Sequence, residues 1–193
     1  MPPLLARIKN IMLDPRAEWP LVAAEQGGVL RLIVYVEVLA AIPAIAGFVG
    51  STFIGTSVSI GTFHDPIWFG IFKAVISYLF SFAIVALTAL AIDVMAPFFG
   101  TQRHFTQALK LAVYSFTPVW LIGIMLLFPG LRFFTLLGLY ALRLLWTGVH
   151  PLMGVPRNKV LPYALAIAAI AFVIVLAMAF VQALVIYYGS AFR

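Results

Sequence analysis

Glu37, Lys73, Asp93, Lys110 and Arg143 lie inside long runs of apolar residues. An isolated charge at mid-membrane costs about 2.5–3.5 kcal/mol on insertion scales. Each of these side chains must therefore pair, reach a headgroup or line a wet path. Depth at 1.5 Å per residue sorts them. Glu37 falls about 13 Å and Arg143 about 15 Å from the inner ends of their segments, a match that suggests an ion pair. Asp93 and Lys110 lie about 5 and 8 Å inside the inner ends of consecutive segments. They flank the break "APFFG" and would meet below it, fixing the register of a helical hairpin closed by Pro97 and Gly100. The competing fate for Lys73 and Lys110 is to snorkel to headgroups. For Glu37 and Arg143 the competing role is a substrate or proton site.

Catalytic constellations are absent. There is no H-E-x-x-H, no G-x-S-x-G and no P-loop. The chain has no Cys, which excludes a disulfide framework, a thiol nucleophile and Cys-based metal sites. His104 and His150 fall at the inner side near Asp93, but two His without a spacing motif read as surface residues and not as a metal site. No cofactor and no enzymatic activity is expected.

The elements that must hold these residues follow from composition. Of 193 residues, 64% are hydrophobic and 9% charged, against about 25% charged in soluble domains. So few polar groups cannot cover a soluble fold, and the expected class is an all-α integral membrane bundle. A span needs about 20 apolar residues. Five segments qualify, at 28–51, 67–96, 105–128, 131–153 and 160–188. Residues 1–27 form a separate cytoplasmic segment and 28–193 the five-span domain. Arg7, Lys9, Arg16, Arg31, Arg103, Lys110, Arg157 and Lys159 fall on one side, leaving Arg132 and Arg193 on the other. The positive-inside rule then places the N-terminus in the cytoplasm and the C-terminus outside, with the loop "GTSVSIGTFHDP" exposed there. In this setting the net charge of +6 points to a membrane surface, not to nucleic acid.

In "PPLLARIKNIML", Leu4, Leu5, Ile8, Ile11 and Met12 recur at helical spacing opposite Arg7, Lys9 and Asn10, as in a helix lying on the membrane surface. Asp14-Pro15 reads as an N-cap with Pro at the first helical position, and Trp19 as an interfacial anchor. Pro118 should kink the third span and free a backbone carbonyl. Gly47, Ser51 and Gly55, Ser77 and Ser81, and Ala164 and Ala168 lie four apart and mark close-packing faces.

Two motifs carry a resemblance. One is L-x-P-x-x-E-W-P-x-x-A-x-E, matched by Leu13, Pro15, Glu18, Trp19, Pro20, Ala23 and Glu25. The other is A-L-K-x-x-x-Y-S-x-T-P, matched by Ala108, Leu109, Lys110, Tyr114, Ser115, Thr117 and Pro118. With "GVHPLMGVPRNKVLPYA", they make the chain resemble bacterial members of the Yip domain family of Ypt/Rab-interacting membrane proteins. The resemblance implies five spans and a cytoplasmic N-terminus. Eukaryotic relatives look like trafficking factors that bind Rab GTPases and one another, but their long N-terminal region is nearly missing here. The resemblance therefore carries no Rab partner to this chain.

The resulting expectation is a non-enzymatic bacterial inner-membrane protein that organises membrane lipids or protein partners, with homo-oligomerisation open. Its interaction residues would be Glu18, Trp19, Asp93, Arg103 and Lys110. The alternative is a small transporter or channel with Glu37, Asp93, Lys110 and Arg143 lining the path.

Overall fold

A computed structural model describes residues 3–26, 28–58 and 61–190. Arg193 and the side chain of Arg132, the two basic residues assigned to the outer side, lie outside what is described. Two short helices come first, α1 (Leu4–Leu13) and α2 (Pro15–Ala24). Asp14 accepts from the Ala17 N–H at 3.3 Å and Pro15 opens α2, so the cap read from Asp14-Pro15 is formed. The first span is α3 (Val29–Val49), prolonged by a wide turn of helix over Gly50–Ile54. A small antiparallel hairpin follows, with β1 (Thr56–Val58) against β2 (Gly61–Phe63), where the sequence suggested only a loop.

The second span is α4 (Ile67–Met95), tightened at its end over Ala96–Phe99. Gly100 then turns the chain in the left-handed conformation (φ 82°), which Gly adopts without a Cβ penalty. The third span is broken in two, as α5 (Phe105–Ser115) and α6 (Thr117–Ile122), with a 3-10 tail over Gly123–Leu127. The fifth expected span is one long helix, α8 (Val160–Ser190).

The fourth expected span departs from the reading. Residues Pro129–Leu139 form a 3-10 stretch and only Tyr140–Met153 form an α-helix, α7. Among the described residues, four helical segments are long and apolar enough to cross a membrane: Val29–Ile54, Ile67–Phe99, Phe105–Leu127 and Arg157–Gly189. The segment 129–153 still returns along the bundle. It leaves from beside Gly123–Leu127 at one end and reaches Thr101 at the other, where the Thr101 hydroxyl donates to the Met153 carbonyl.

The N-terminal helices pack on the spans. Ile11, Trp19 and Val22 are fully buried and belong to one apolar core with Leu39, Ile92, Leu111, Leu144 and Tyr163. What departs from the reading of α1 is the partner of its inward face. Arg7 faces inward at 4% exposure beside Ile11, while Leu5 is 77% exposed. The apolar stripe packs on the protein's own bundle, because α2 and the spans offer it a protein surface. Trp19 is likewise no exposed anchor. It is 0% exposed and its indole donates to the Thr147 hydroxyl at 3.1 Å.

That seat depends on Gly148. A Cβ there would fall 2.7 Å from Trp19 Cε2 and 2.6 Å from Leu111 Cδ1. Gly47, which the four-residue spacing marked as a packing point, has nothing within 4 Å of such a Cβ. Gly148→Val should therefore lower the detergent melting point by the equivalent of about 1–3 kcal/mol. Gly47→Ala should leave it unchanged or raise it.

Candidate functional site

The polar residues concentrate where α1 and α2 dock on α3, α5 and α7. Arg7 is the hub. Its guanidinium donates to Glu18 Oε1 through one terminal nitrogen and to Glu25 Oε1 through the other. Asn10 Nδ2 donates to Glu18 Oε2 at 3.2 Å. Glu18 and Glu25 lie seven residues apart, so about two turns of α2, with Glu25 at its C-cap, bring both carboxylates to one side. The guanidinium carbon also lies 5.6 Å from the centroid of the Tyr114 ring, within cation–π range.

Lys110 is buried at 3% exposure on α5. Its ammonium donates to the Val22 carbonyl at 3.0 Å and the Glu25 carbonyl at 2.6 Å. Gln107, one turn earlier, donates to the Ala23 carbonyl at 3.1 Å. The last carbonyls of a helix lack intrahelical partners and carry partial negative charge. Two side chains of α5 thus cap the end of α2. This corrects both expectations for Lys110: it neither pairs with Asp93 nor snorkels. Asp93 is buried on α4 at 9% exposure with Oδ1 unbonded, at the level where the Tyr163 hydroxyl donates to the Ile92 carbonyl at 2.5 Å.

Tyr114 and Pro118 belong to a second arrangement beside the first. Pro118 has no N–H to give the carbonyl four residues back, which is that of Tyr114. The Thr117 hydroxyl fills the gap at 2.8 Å. Its single proton being used there, Thr117 accepts from the Tyr35 hydroxyl at 2.9 Å. The break expected at Pro118 is present, and the freed carbonyl is satisfied by a side chain that ties α3 to it. The Tyr114 ring meets Tyr35 edge-on at 4.9 Å and Trp19 at 6.3 Å.

The other candidates do not join this cluster. Glu37 is exposed on α3 and Arg143 is exposed on α7, its guanidinium 5.3 Å from the Tyr140 ring. Their expected ion pair is not formed, because α3 and α7 each pack on α5 instead of on one another. Lys73 pairs with Asp65 at 2.5 Å, at the opposite end of the bundle. Arg103 is exposed on the turn before α5. His150 Nδ1 lies 2.8 Å from the Val155 carbonyl, and among the described residues no three His, Asp or Glu are grouped to hold a metal. Sequence reasoning missed Arg7 as the hub, and with it Asn10, Gln107 and Tyr35. The available signal was that Glu18 and Glu25 share a helical face and need a cation.

A cavity of about 530 Å³ opens between α1 and α3 beside the cluster. Its lining includes Arg7, Arg31, Tyr35 and Tyr114.

A bundle of long apolar helices with its buried ionic cluster at one end is a multi-pass α-helical membrane protein. The Yip1 domain matches residues 9–179, so the chain belongs to that family. It is similar to the inner membrane protein YohC of Escherichia coli (strain K12), 30% identical over 167 residues covering 82% of this chain and 83% of that protein. YohC of Escherichia coli O6:H1 is similar to the same extent. No solved structure matches.

Removing one partner of a buried ion pair leaves the other charge stranded, typically at a cost of about 3–5 kcal/mol. Arg7→Met should lower the melting point accordingly and speed amide exchange throughout α1. Thr117→Val should cost about 1–3 kcal/mol by orphaning the Tyr114 carbonyl. In a Glu37→Gln, Arg143→Gln double-mutant cycle the two effects should add to within about 0.5 kcal/mol. A larger coupling would mean that the two side chains do meet.

Proposed function

We propose that this is a non-enzymatic multi-pass protein of a bacterial inner membrane, organising membrane lipids or protein partners through the face formed by α1 and α2. The observation that carries the reading is the rigid docking of these helices. Arg7, Glu18, Glu25 and Lys110 hold them on the bundle, while Leu5, Leu13 and Leu21 stay 59–77% exposed and Lys9 and Arg16 stay exposed beside them. Mixed Leu and basic side chains suit the boundary between headgroups and acyl chains. Family membership and the name of the E. coli relatives support the location. The excess of Arg and Lys at this end supports a cytoplasmic N-terminus, with the segment 129–153 completing a fifth crossing and the C-terminus outside.

The transport reading has less support. Among the described residues, Glu37, Asp93, Lys110 and Arg143 do not line a shared cavity, and a cavity of about 300 Å³ among the spans has Thr88 and Ser115 as its polar lining among apolar residues. A Rab partner is no part of the proposal.

Reconstitution with spin-labelled anionic lipid tests it. Reversing Lys9 and Arg16 together to Glu should reduce the motionally restricted lipid fraction at least twofold, with the melting point unchanged. An unaltered fraction, together with solute flux above that of protein-free vesicles, would favour the transporter.

A further inference from the structure

A second polar feature lies at the end of the bundle opposite Arg7. A cavity of about 180 Å³ sits between α3, α4 and α8. Its polar lining comes from Ser51 in the wide turn after α3, Lys73 and Ser77 on α4, and Gln182 on α8. Ser51 is 9% exposed and its hydroxyl has no partner. Ser77 gives its carbonyl to the Ser81 hydroxyl and leaves its own hydroxyl to the cavity. The 31 residues of α8 carry no charge and one amide, Gln182, which lines this cavity. Lys73 is already paired with Asp65 and brings no free charge.

These groups are deep. From that end of their spans, Ser51 lies about 5 Å, Lys73 about 9 Å, Gln182 about 10 Å and Ser77 about 15 Å inward. Hydrocarbon offers a polar group no partner at such depths. The cavity begins near the loop before α4, where the Asp65 N–H donates to the Ser51 carbonyl at 3.0 Å. It ends at Pro43, against which Gly123 is packed so closely that a Cβ there would fall 2.6 Å from Pro43 Cβ.

We infer that this cavity binds ordered water, admitted from the end opposite Arg7 and reaching about 15 Å into the membrane. Hydroxyls and an amide each donate and accept, and water answers both needs. A water occupies roughly 10–15 Å³ of such volume, so several fit together. An acyl chain would satisfy none of the polar groups, and an uncharged lining selects neither cation nor anion. Closure at Pro43 makes the site a blind pocket and not a pore. Water there also hydrates the Lys73–Asp65 pair from within the bundle, which lets a charged Lys stand inside a span without reaching a headgroup. The inference is independent of the lipid-organising reading, since it shares no side chain with it.

The chain has no Cys, so a single introduced thiol reports on one position. Gly47→Cys puts a thiol in the cavity, at a point where a Cβ meets nothing within 4 Å. Val75→Cys, at a residue 51% exposed on α4 and outside the cavity lining, is the control at nearly the same depth. Phe63→Cys, at a residue 58% exposed on β2, marks the side of the membrane. Each full-length variant in sealed vesicles is treated with membrane-impermeant sulfonatoethyl methanethiosulfonate. Gly47→Cys should react at least tenfold faster than Val75→Cys, and from the side that labels Phe63→Cys. Adding Ala74→Phe, which fills the cavity, should remove most of that advantage. Should that chain fail to fold, adding Gln182→Leu, which takes away a polar wall, should do the same. Equal rates at positions 47 and 75, labelling of Gly47→Cys from the other side only, or a rate unmoved by both added substitutions would overturn the assignment.

Discussion

Everything at the polar end of this protein depends on one buried cation. Arg7 joins the carboxylates of Glu18 on α2 and Glu25 just after it, against the face of the Tyr114 ring, and it holds α1 to α2 and both to the bundle. Away from water such a contact is far stronger than at a surface, and an unsatisfied member is correspondingly destabilising. The three groups are therefore held in one geometry. Lys110 extends the same logic to the backbone. By occupying the carbonyls of Val22 and Glu25, it fixes where α2 ends and sets the height of the hairpin along α5. Asp93, the partner expected for it, has an oxygen left unbonded, and the ammonium is held at the end of α2 instead.

The interior of the bundle obeys the companion constraint on backbone groups. In hydrocarbon a free carbonyl has no water to turn to. Pro118 creates one, and Thr117 and Tyr35 resolve it in sequence. The motif around Tyr114 is thereby explained as a unit. Proline breaks the helix, threonine satisfies the break, and the Tyr114 ring separates the break from the ionic cluster while touching Trp19 and Tyr35.

What the sequence discloses and what it hides divide along one line. Run length gave four spans, and local chemistry gave the Asp14 cap and the Pro118 break, because each is decided by near neighbours along the chain. Depth was also readable, since rise per residue is constant. Direction around a helix axis was not. Glu37 and Arg143 were matched by depth and assumed to face each other, whereas they lie on helices that both pack on α5. In α1 the apolar spacing pointed correctly to one buried face, but the buried cation Arg7 belongs to it, and the carboxylates of Glu18 and Glu25 make that tolerable. The 131–153 segment was misread for a related reason. Hydropathy registers apolar length and is blind to whether the backbone forms a continuous α-helix, which here begins only at Tyr140.

The depth match that failed as a pair still has structural meaning. Tyr35 and Trp19 both touch Tyr114, and Trp19 bonds Thr147, so these residues share one level. Glu37 lies two residues beyond Tyr35, about 3 Å, and Arg143 four residues beyond Thr147, about 6 Å, in the same direction along the bundle. Two exposed ionisable groups on different helices thus stand at nearly the same height. Lipid-exposed charges persist only where their side chains reach headgroups or water. The exposed Lys9 and Arg16 of α1 and α2 require the same of the hairpin packed beside them. A single polar boundary around the bundle at this height satisfies Glu37 and Arg143 together, whereas placing either at mid-bilayer would strand the other.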